Sequence, residues 1–319
     1  MLNISIVLYH PDWKQVNELT RSLLAYPHVH RIYWIDNSPN PQYPISNSEA
    51  SHIPYPIANS AASHIPYPIP NSAASHIPYP IAHSQYPIAN SQYPIANSEA
   101  SITYLPNPKN IGYGAAHNIA IRESIYDNIP FHLVINPDII IAPDTLEILM
   151  NFIQQHPQVG CVSPKVIYPN GELQYLCKLL PTPLDVFGRR FLPKAWMKKR
   201  NERYELRQSG YNQPMNIPYL SGCFMLLRTS ALQKVKLFDE RFFMYPEDVD
   251  LTRRLHQQYL TVFYPQTTIV HNHAKQSYHS IRMLWIHATN MCKYFNKWGW
   301  FCDQERKRIN QNTIKQYLT

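Results

Sequence analysis

The chain has 319 residues, 45% of them hydrophobic and only 16% charged, with 29 prolines, 23 tyrosines, eight glycines and a net charge of +8. This allows a proper core in one large or two small domains, and the Pro/Tyr skew points to one atypical segment that distorts the average. Five scattered cysteines (Cys161, Cys177, Cys223, Cys292 and Cys302) form no CxxC pair, which argues against a disulfide frame or zinc finger and for a reducing compartment; no apolar run approaches the ~20 residues of a membrane span.

In chain order, Ile4 to Leu8 reads as a buried strand cut off by Pro11 and Asp12. With no basic stretch ahead of it, the run from Met1 to His10 is a strand and not a signal peptide. Trp13 to Tyr26 carries Val16, Leu19, Leu23 and Leu24 at helical spacing, and Arg31 to Ile35 is the next strand, ending at Asp36. From Gln42 to about Ser101 the chain repeats a Tyr-Pro-Ile-x-Asn-Ser unit. Its prolines fix φ and remove amide donors, so a regular helix is excluded and an extended, solvent-facing loop is expected. The repeated histidines 52, 64 and 76 are copied with the unit, so their regularity is no evidence for a metal site.

After the insert come a strand near Ile102 to Leu105, a helix from about Gly114 to Tyr126, a strand Phe131 to Ile135 and a helix Pro143 to His156. Alternation of this kind predicts an α/β sheet with mostly parallel strands. Ligands of such sheets bind beyond the carboxyl ends of the strands, and His10, Asp36, Asn110 and Asp138 all fall there.

Four stretches have residue types suited to chemistry. Asn136-Pro137-Asp138 ends a strand where oxygen ligands could meet Mg²⁺ or Mn²⁺ beside phosphate, although the same tripeptide is an ordinary strand-to-turn sequence. Asn110-Ile111-Gly112-Tyr113-Gly114 opens a helix and lets backbone approach a phosphate or base, or is a plain helix entry; it is neither GxGxxG nor a P-loop. Glu247-Asp248-Val249-Asp250 puts three carboxylates at a helix start, where capping explains them, yet a carboxylate among the aromatics of Phe242-Phe243-Met244-Tyr245 also suits a general base toward an alcohol. In His271-Asn272-His273 the two rings point to opposite faces of a strand, so one of them at most reaches a given metal.

As an ordered set, Ser5-Ile6-Val7-Leu8-Tyr9, Ile35-Asp36-Asn37-Ser38, Asn110 to Gly114 with Asn118, Asn136-Pro137-Asp138, Ser221-Gly222-Cys223-Phe224-Met225 and Phe238-Asp239-Glu240-Arg241-Phe242-Phe243 running into Glu247-Asp248-Val249-Asp250-Leu251 resemble the family 2 inverting glycosyltransferases of the GT-A fold, rhamnosyltransferase-type members above all. The resemblance implies a Rossmann-like GT-A domain made of residues 1–41 and 101–290, interrupted by the repeat at 42–100 and followed by a basic, aromatic segment at 291–319. It implies donor binding by Tyr9, Asp36, Asn110, Gly112, Asn118 and Asn136, with Asn136 standing at the first aspartate of the family's metal motif. Asp138 and His271, with His273 the alternative, are the implied ligands of a divalent cation. Asp248 is the implied base, supported by Glu247. The implied partners are a dTDP-, UDP- or GDP-linked sugar and a glycan or lipid-diphosphate-linked acceptor.

The insert lengthens a loop on the nucleotide side without removing a motif, so activity is expected to survive its deletion. Beyond Asn290, lysines interleave with Tyr294, Phe295, Trp298, Trp300 and Phe301, the composition of a peripheral membrane segment or of an ordinary packed helix. A cytoplasmic protein, peripheral on the inner face of the plasma membrane, fits both this and the positive charge. A nucleotidyltransferase is disfavoured because no Gly-rich, Lys/Arg-bearing phosphate loop lies near the N-terminus. An inactive binding protein with the repeat as its working end is disfavoured by the retained carboxylate motifs, and nucleic-acid binding by the lack of a recognised module.

Overall fold

The computed structural model describes residues 1–41, 100–189, 192–272 and 281–318; the repeat at 42–99 and His273 lie outside the described residues. The elements run β1 (Leu2–Leu8), α1 (Trp13–Leu24), β2 (Val29–Asp36), β3 (Ser101–Pro106), α2 (Tyr113–Tyr126), β4 (Phe131–Ile135), β5 (Ile139–Ile140), α3 (Thr145–Gln155), β6 (Val159–Ile167), α4 (Lys194–Tyr204), β7 (Met215–Asn216), β8 (Phe224–Arg228), α5 (Thr229–Val235), α6 (Glu247–His256), β9 (Leu260–His271), α7 (Ile281–Trp298) and α8 (Gln304–Tyr317).

One sheet organises them in the order β3-β2-β1-β4-β8-β6-β9-β5, with β7 paired to β9. The expected parallel arrangement holds for β3, β2, β1 and β4 and again for β6 with β9. Strand β8 runs antiparallel to both β4 and β6. That reversal matters for the site. Ile135 at the end of β4 pairs with Phe224 at the start of β8, so the loop entering β8 meets the loop leaving β4.

Strand β1 shows how the layers form. Leu2, Ile4, Ile6 and Leu8 alternate onto one face and pack with Val16, Leu19 and Leu23 of α1 and Leu146, Leu149 and Ile153 of α3. The opposite face carries Asn3 and Ser5, both fully buried. They are accommodated by hydrogen bonds: Asn3 donates to Ser124 Oγ of α2 at 3.0 Å, and Ser5 Oγ lies 2.6 Å from His117 Nδ1 and 2.8 Å from His132 Nε2. A second apolar layer joins β8, α5, α6 and Phe263 of β9 on the α2 side.

The last two helices are bound into this body. Met291, Tyr294 and Phe295 of α7 are buried with Leu180, Phe242 and Val249. Arg253 of α6 is 1% exposed and makes a bidentate pair with Asp303, at 2.7 and 2.8 Å, while its guanidinium stacks 3.9 Å from the Trp298 ring centroid. The aromatic run after Asn290 turns Tyr294 and Phe295 inward, because they complete the core beneath α6, and the boundary at 290 falls inside α7. Among the described residues no helix is long and apolar enough to cross a membrane.

Candidate active site

The carboxyl ends of β1, β2 and β4 and the amino end of β8 open onto one edge of the sheet. At the end of β2 Asp36 is fully buried; its Oδ1 accepts from Ser38 N at 2.9 Å and its Oδ2 from the Tyr104 hydroxyl at 2.8 Å. Asn37 reaches across to the carbonyl of Gly112 at 3.2 Å, and Asn110 Oδ1 accepts from Gly112 N at 2.9 Å, which shapes the turn into α2. Gly112 has φ +91°, and a Cβ there would lie 2.5 Å from the carbonyl oxygen of Phe243, so only glycine lets this turn dock on the loop before α6. Tyr9 follows β1 with 52% of its surface exposed, edge-on to His10.

Asn136 and Asp138 occupy the junction of β4 and β8. Asn136 N donates to Cys223 O at 2.9 Å, and its Oδ1 lies 2.9 Å from the Tyr113 hydroxyl, which is also 2.8 Å from Gly222 O. Strand β5 pairs Ile139 with His271, and this register brings His271 Nε2 to 3.3 Å from Asp138 Oδ1. Gln174 fixes the histidine: its Nε2 donates to His271 O at 2.9 Å, leaving Oε1 to face His271 Nδ1 at 3.1 Å. The imidazole therefore presents Nε2 to a carboxylate. Burial opposes the charged ring, but the Asp138 carboxylate and the Cys223 thiol outweigh it and hold the pKa up at about 10.

This arrangement fits a divalent cation. The Nε2 of His271, protonated as its raised pKa requires, and a carboxylate oxygen of Asp138 face each other at 3.3 Å, and a cation bound between them would take the place of that proton and leave the ring a neutral ligand. Among the described residues no three His, Cys, Asp or Glu side chains form a cage. The pair is instead a two-ligand set of the kind that Mg²⁺ or Mn²⁺ completes with phosphate oxygens and water.

Asp248 lies in the first turn of α6 and is only 9% exposed. Its Oδ2 accepts from Gly222 N at 3.0 Å and its Oδ1 from Val249 N at 2.7 Å. Burial nevertheless pushes its pKa up to about 6, against the opposing pull of the Gly222 amide and the Lys178 ammonium. Glu247 is raised well above the usual carboxylate range, by burial and then by the charge of Asp248, and its Oε2 has no hydrogen-bond partner among the described residues. The Tyr113 phenol, whose ionisation burial strongly opposes, feels the charges of Cys223, Glu247, Asp248 and Asp138 together. It thus marks the point where the two carboxylate groups meet.

Not every candidate faces this cleft. Asn118 is buried; its amide donates to Phe238 O and Glu240 Oε1 at 2.9 Å each, and its carbonyl accepts from Phe238 N at 3.0 Å. It clamps the Phe238–Glu240 stretch to α2, and its amide is committed to that stretch. Asp250, third of the carboxylates, accepts from Trp298 Nε1 at 2.7 Å and pairs with Lys297 and Arg254, tying α6 to α7. Conversely, Tyr113, Gly222, Gln174 and Lys178 belong to the site without having been singled out. Gly222 had a signal in Ser221-Gly222-Cys223, and Tyr113 in the turn it follows; Gln174 and Lys178 sit in irregular chain and had none.

Residues 92–286 match the family described as Glycosyltransferase like family 2. The chain belongs to that family. Its α/β sheet, parallel from β3 to β4 with antiparallel β8 alongside, is the expected GT-A fold. Among curated relatives, the chain is 30% identical over 191 residues to the N-acetylglucosaminyl-diphospho-decaprenol L-rhamnosyltransferase of Mycobacterium tuberculosis, covering 54% of this chain and 60% of that protein. It is 25% identical over 164 residues to the low-salt glycan biosynthesis hexosyltransferase Agl10 of Haloferax volcanii, covering 50% and 48% respectively. The matches thus span about half of these relatives' length. Among solved structures, the mannosyltransferase PcManGT from Pyrobaculum calidifontis, in complex with GDP-Man and Mn²⁺, aligns over 99% of this chain and 74% of its own, with 12% identity and a TM-score of 0.48. Residues 1–349 of S. aureus TarS align over 92% and 72%, with 13% identity and a TM-score of 0.46.

Proposed function

We propose that the chain transfers a sugar, with inversion, from a nucleotide diphosphate to a hydroxyl of a glycan or lipid-diphosphate-linked acceptor. The observation that carries this reading is Asp248, a buried carboxylate held by two backbone amides, with a pKa pushed up to about 6, in the same cleft as the Asp138–His271 pair. In the transfer, the acceptor oxygen bonds to the anomeric carbon as its proton passes to Asp248. The bond from that carbon to the diphosphate breaks on the opposite face, and its electron pair leaves with the nucleotide. No covalent intermediate on the protein is needed, and one displacement inverts the centre.

Asp138 and His271 would hold a Mg²⁺ or Mn²⁺ ion, which when bound supplies positive charge to the departing diphosphate. Burial and then the charge of Asp248 oppose ionisation of Glu247, which favours placing the negative charge on Asp248. Asp36, Asn110, Gly112, Asn136 and Tyr9 line the donor side, where the Asp36–Ser38, Asn37–Gly112 and Asn110–Gly112 contacts fix the loop edges. The named rhamnosyl and decaprenol-linked groups of the mycobacterial relative make a deoxyhexose donor and a polyprenyl-diphosphate acceptor at the cytoplasmic membrane face the first pair to try.

The test is nucleotide diphosphate release from dTDP-, UDP- and GDP-sugars with Mn²⁺ or Mg²⁺, beside Asp248→Asn. The expected result is release from one donor, lost by about 10²–10⁴-fold in the variant, with wild-type kcat/KM falling tenfold per pH unit below about 6. Full activity in the variant, or a flat pH profile, overturns the assignment of the base.

A further inference from the structure

Helix α4 and the chain that enters α8 meet at a groove that the transfer chemistry does not use. Trp196, Lys199 and Arg203 share one face of α4, at helical spacing, while Met197 and Tyr204 on another face are buried. Opposite them stand Phe301, in the turn before α8, and Lys307 in the helix itself. The groove has a volume of ≈ 620 Å³, and Lys199, Arg200, Arg203, Arg306 and Lys307 line it. Its carboxylates are already neutralised: Asp185 pairs with Arg200 at 2.6 Å, and Asp303 with Arg253 at 2.7 Å. Lys199, Arg203 and Lys307 are exposed and form no ion pair with the described residues.

Two large aromatics crown this positive surface. Trp196 is 76% and Phe301 83% exposed, whereas Tyr294 and Phe295 nearby in sequence are fully buried. Water-exposed rings flanked by unpaired cations suit the boundary of a bilayer, where indole and phenyl rings rest at headgroup depth and Lys or Arg meets anionic headgroups. Tyr204 on the groove wall feels the charge of Asp248, and Leu179 on the same wall is followed back along the chain by Lys178, which feels the same carboxylate.

We propose that the face formed by Trp196, Lys199, Arg203, Phe301 and Lys307 docks the protein onto an anionic lipid bilayer. The charge of the groove selects the partner: a zwitterionic surface offers the rings a place but leaves the cations unmatched. Docking does not depend on the transferase reading, although it gives the lipid-linked acceptor of that reading a surface from which to reach Asp248.

The experiment is co-sedimentation of the full-length chain with phosphatidylcholine vesicles, made with and without phosphatidylglycerol. Partition is expected only when phosphatidylglycerol is present, and to weaken as salt is raised. Removing one cation at the surface costs about fivefold, so Lys199→Ala with Arg203→Ala lowers partition by roughly 25-fold. Trp196→Ala with Phe301→Ala lowers it too, and thermal melts confirm that both double variants remain folded. Equal partition onto both vesicle types, or unchanged partition by either double variant, overturns the proposal. Because the readout is binding, its failure leaves the Asp248 test untouched, and the reverse also holds.

Discussion

Acid stability offers a sharp test of the polar seam beneath β1. His132 is buried with Nε2 2.8 Å from Ser5 Oγ and Nδ1 2.7 Å from Ser124 Oγ, and burial pushes its pKa from 6.5 down to about 3. Above 6.5 the ring is neutral folded or unfolded, and contributes no pH dependence. Below that value the unfolded chain takes up a proton that the folded ring refuses, so stability falls as pH drops, until the folded ring titrates near 3. At 1.36 kcal/mol per unit, moving from about pH 7.5 to about pH 4.5 costs about 2.7 kcal/mol through this ring. His117, also lowered by burial and then by His132, adds loss of the same sign. Urea unfolding of wild type and His132→Gln at both pH values measures the difference. The variant is expected to be less stable near neutrality yet to lose about 2.7 kcal/mol less on acidification. Identical losses in the two proteins would refute the buried, neutral assignment of His132.

Two further substitutions probe how the site is held. Gly112→Ala puts a Cβ 2.5 Å from Phe243 O at φ +91°, straining the Tyr113 N to Phe243 O hydrogen bond of 2.9 Å. The backbone conformation alone costs about 1–2 kcal/mol, and turnover is expected to fall with it; wild-type stability in urea would show that the turn has room. Arg253→Met strands Asp303, which is 8% exposed, and is expected to cost about 3–5 kcal/mol by the same measurement. Adding Asp303→Leu is expected to recover much of the loss, and a double variant no better than the single would place the effect elsewhere.

The first half of the fold was legible because its strands and helices carry ordinary apolar periodicity. Strand Phe131–Ile135 was read with its observed bounds, and Leu23 and Leu24 turned inward as their spacing requires. The reversal of β8 was not legible, since nothing in Phe224–Arg228 records which neighbour it will pair with or in which direction. The contact of Asp138 with His271 depends on the β5–β9 register, and sequence spacing alone left His271 and His273 as alternatives. The partners of Asn118 were not legible for a chemical reason: an amide in a glycine-led helix entry suits a ligand as well as it suits the backbone of Phe238, to which it is bonded. The aromatic run after Asn290 left a packed helix and a membrane segment as alternatives, because tyrosine and phenylalanine serve a core as readily as a membrane, and only the fold shows Tyr294 and Phe295 turned inward.

The pairing of Arg253 with Asp303 has a consequence for the order in which the protein is made. Glu247 and Asp248 open the helix whose other end Arg253 anchors, and the partner of that arginine lies 50 positions further along the chain. While the ribosome is still adding α7, the strands of the sheet already exist as sequence, but α6 has a naked guanidinium where the finished protein has a neutralised one. The helix that opens with Glu247 and Asp248 is therefore held in place only after residues some 50 positions downstream of Arg253 have been added and have closed over it.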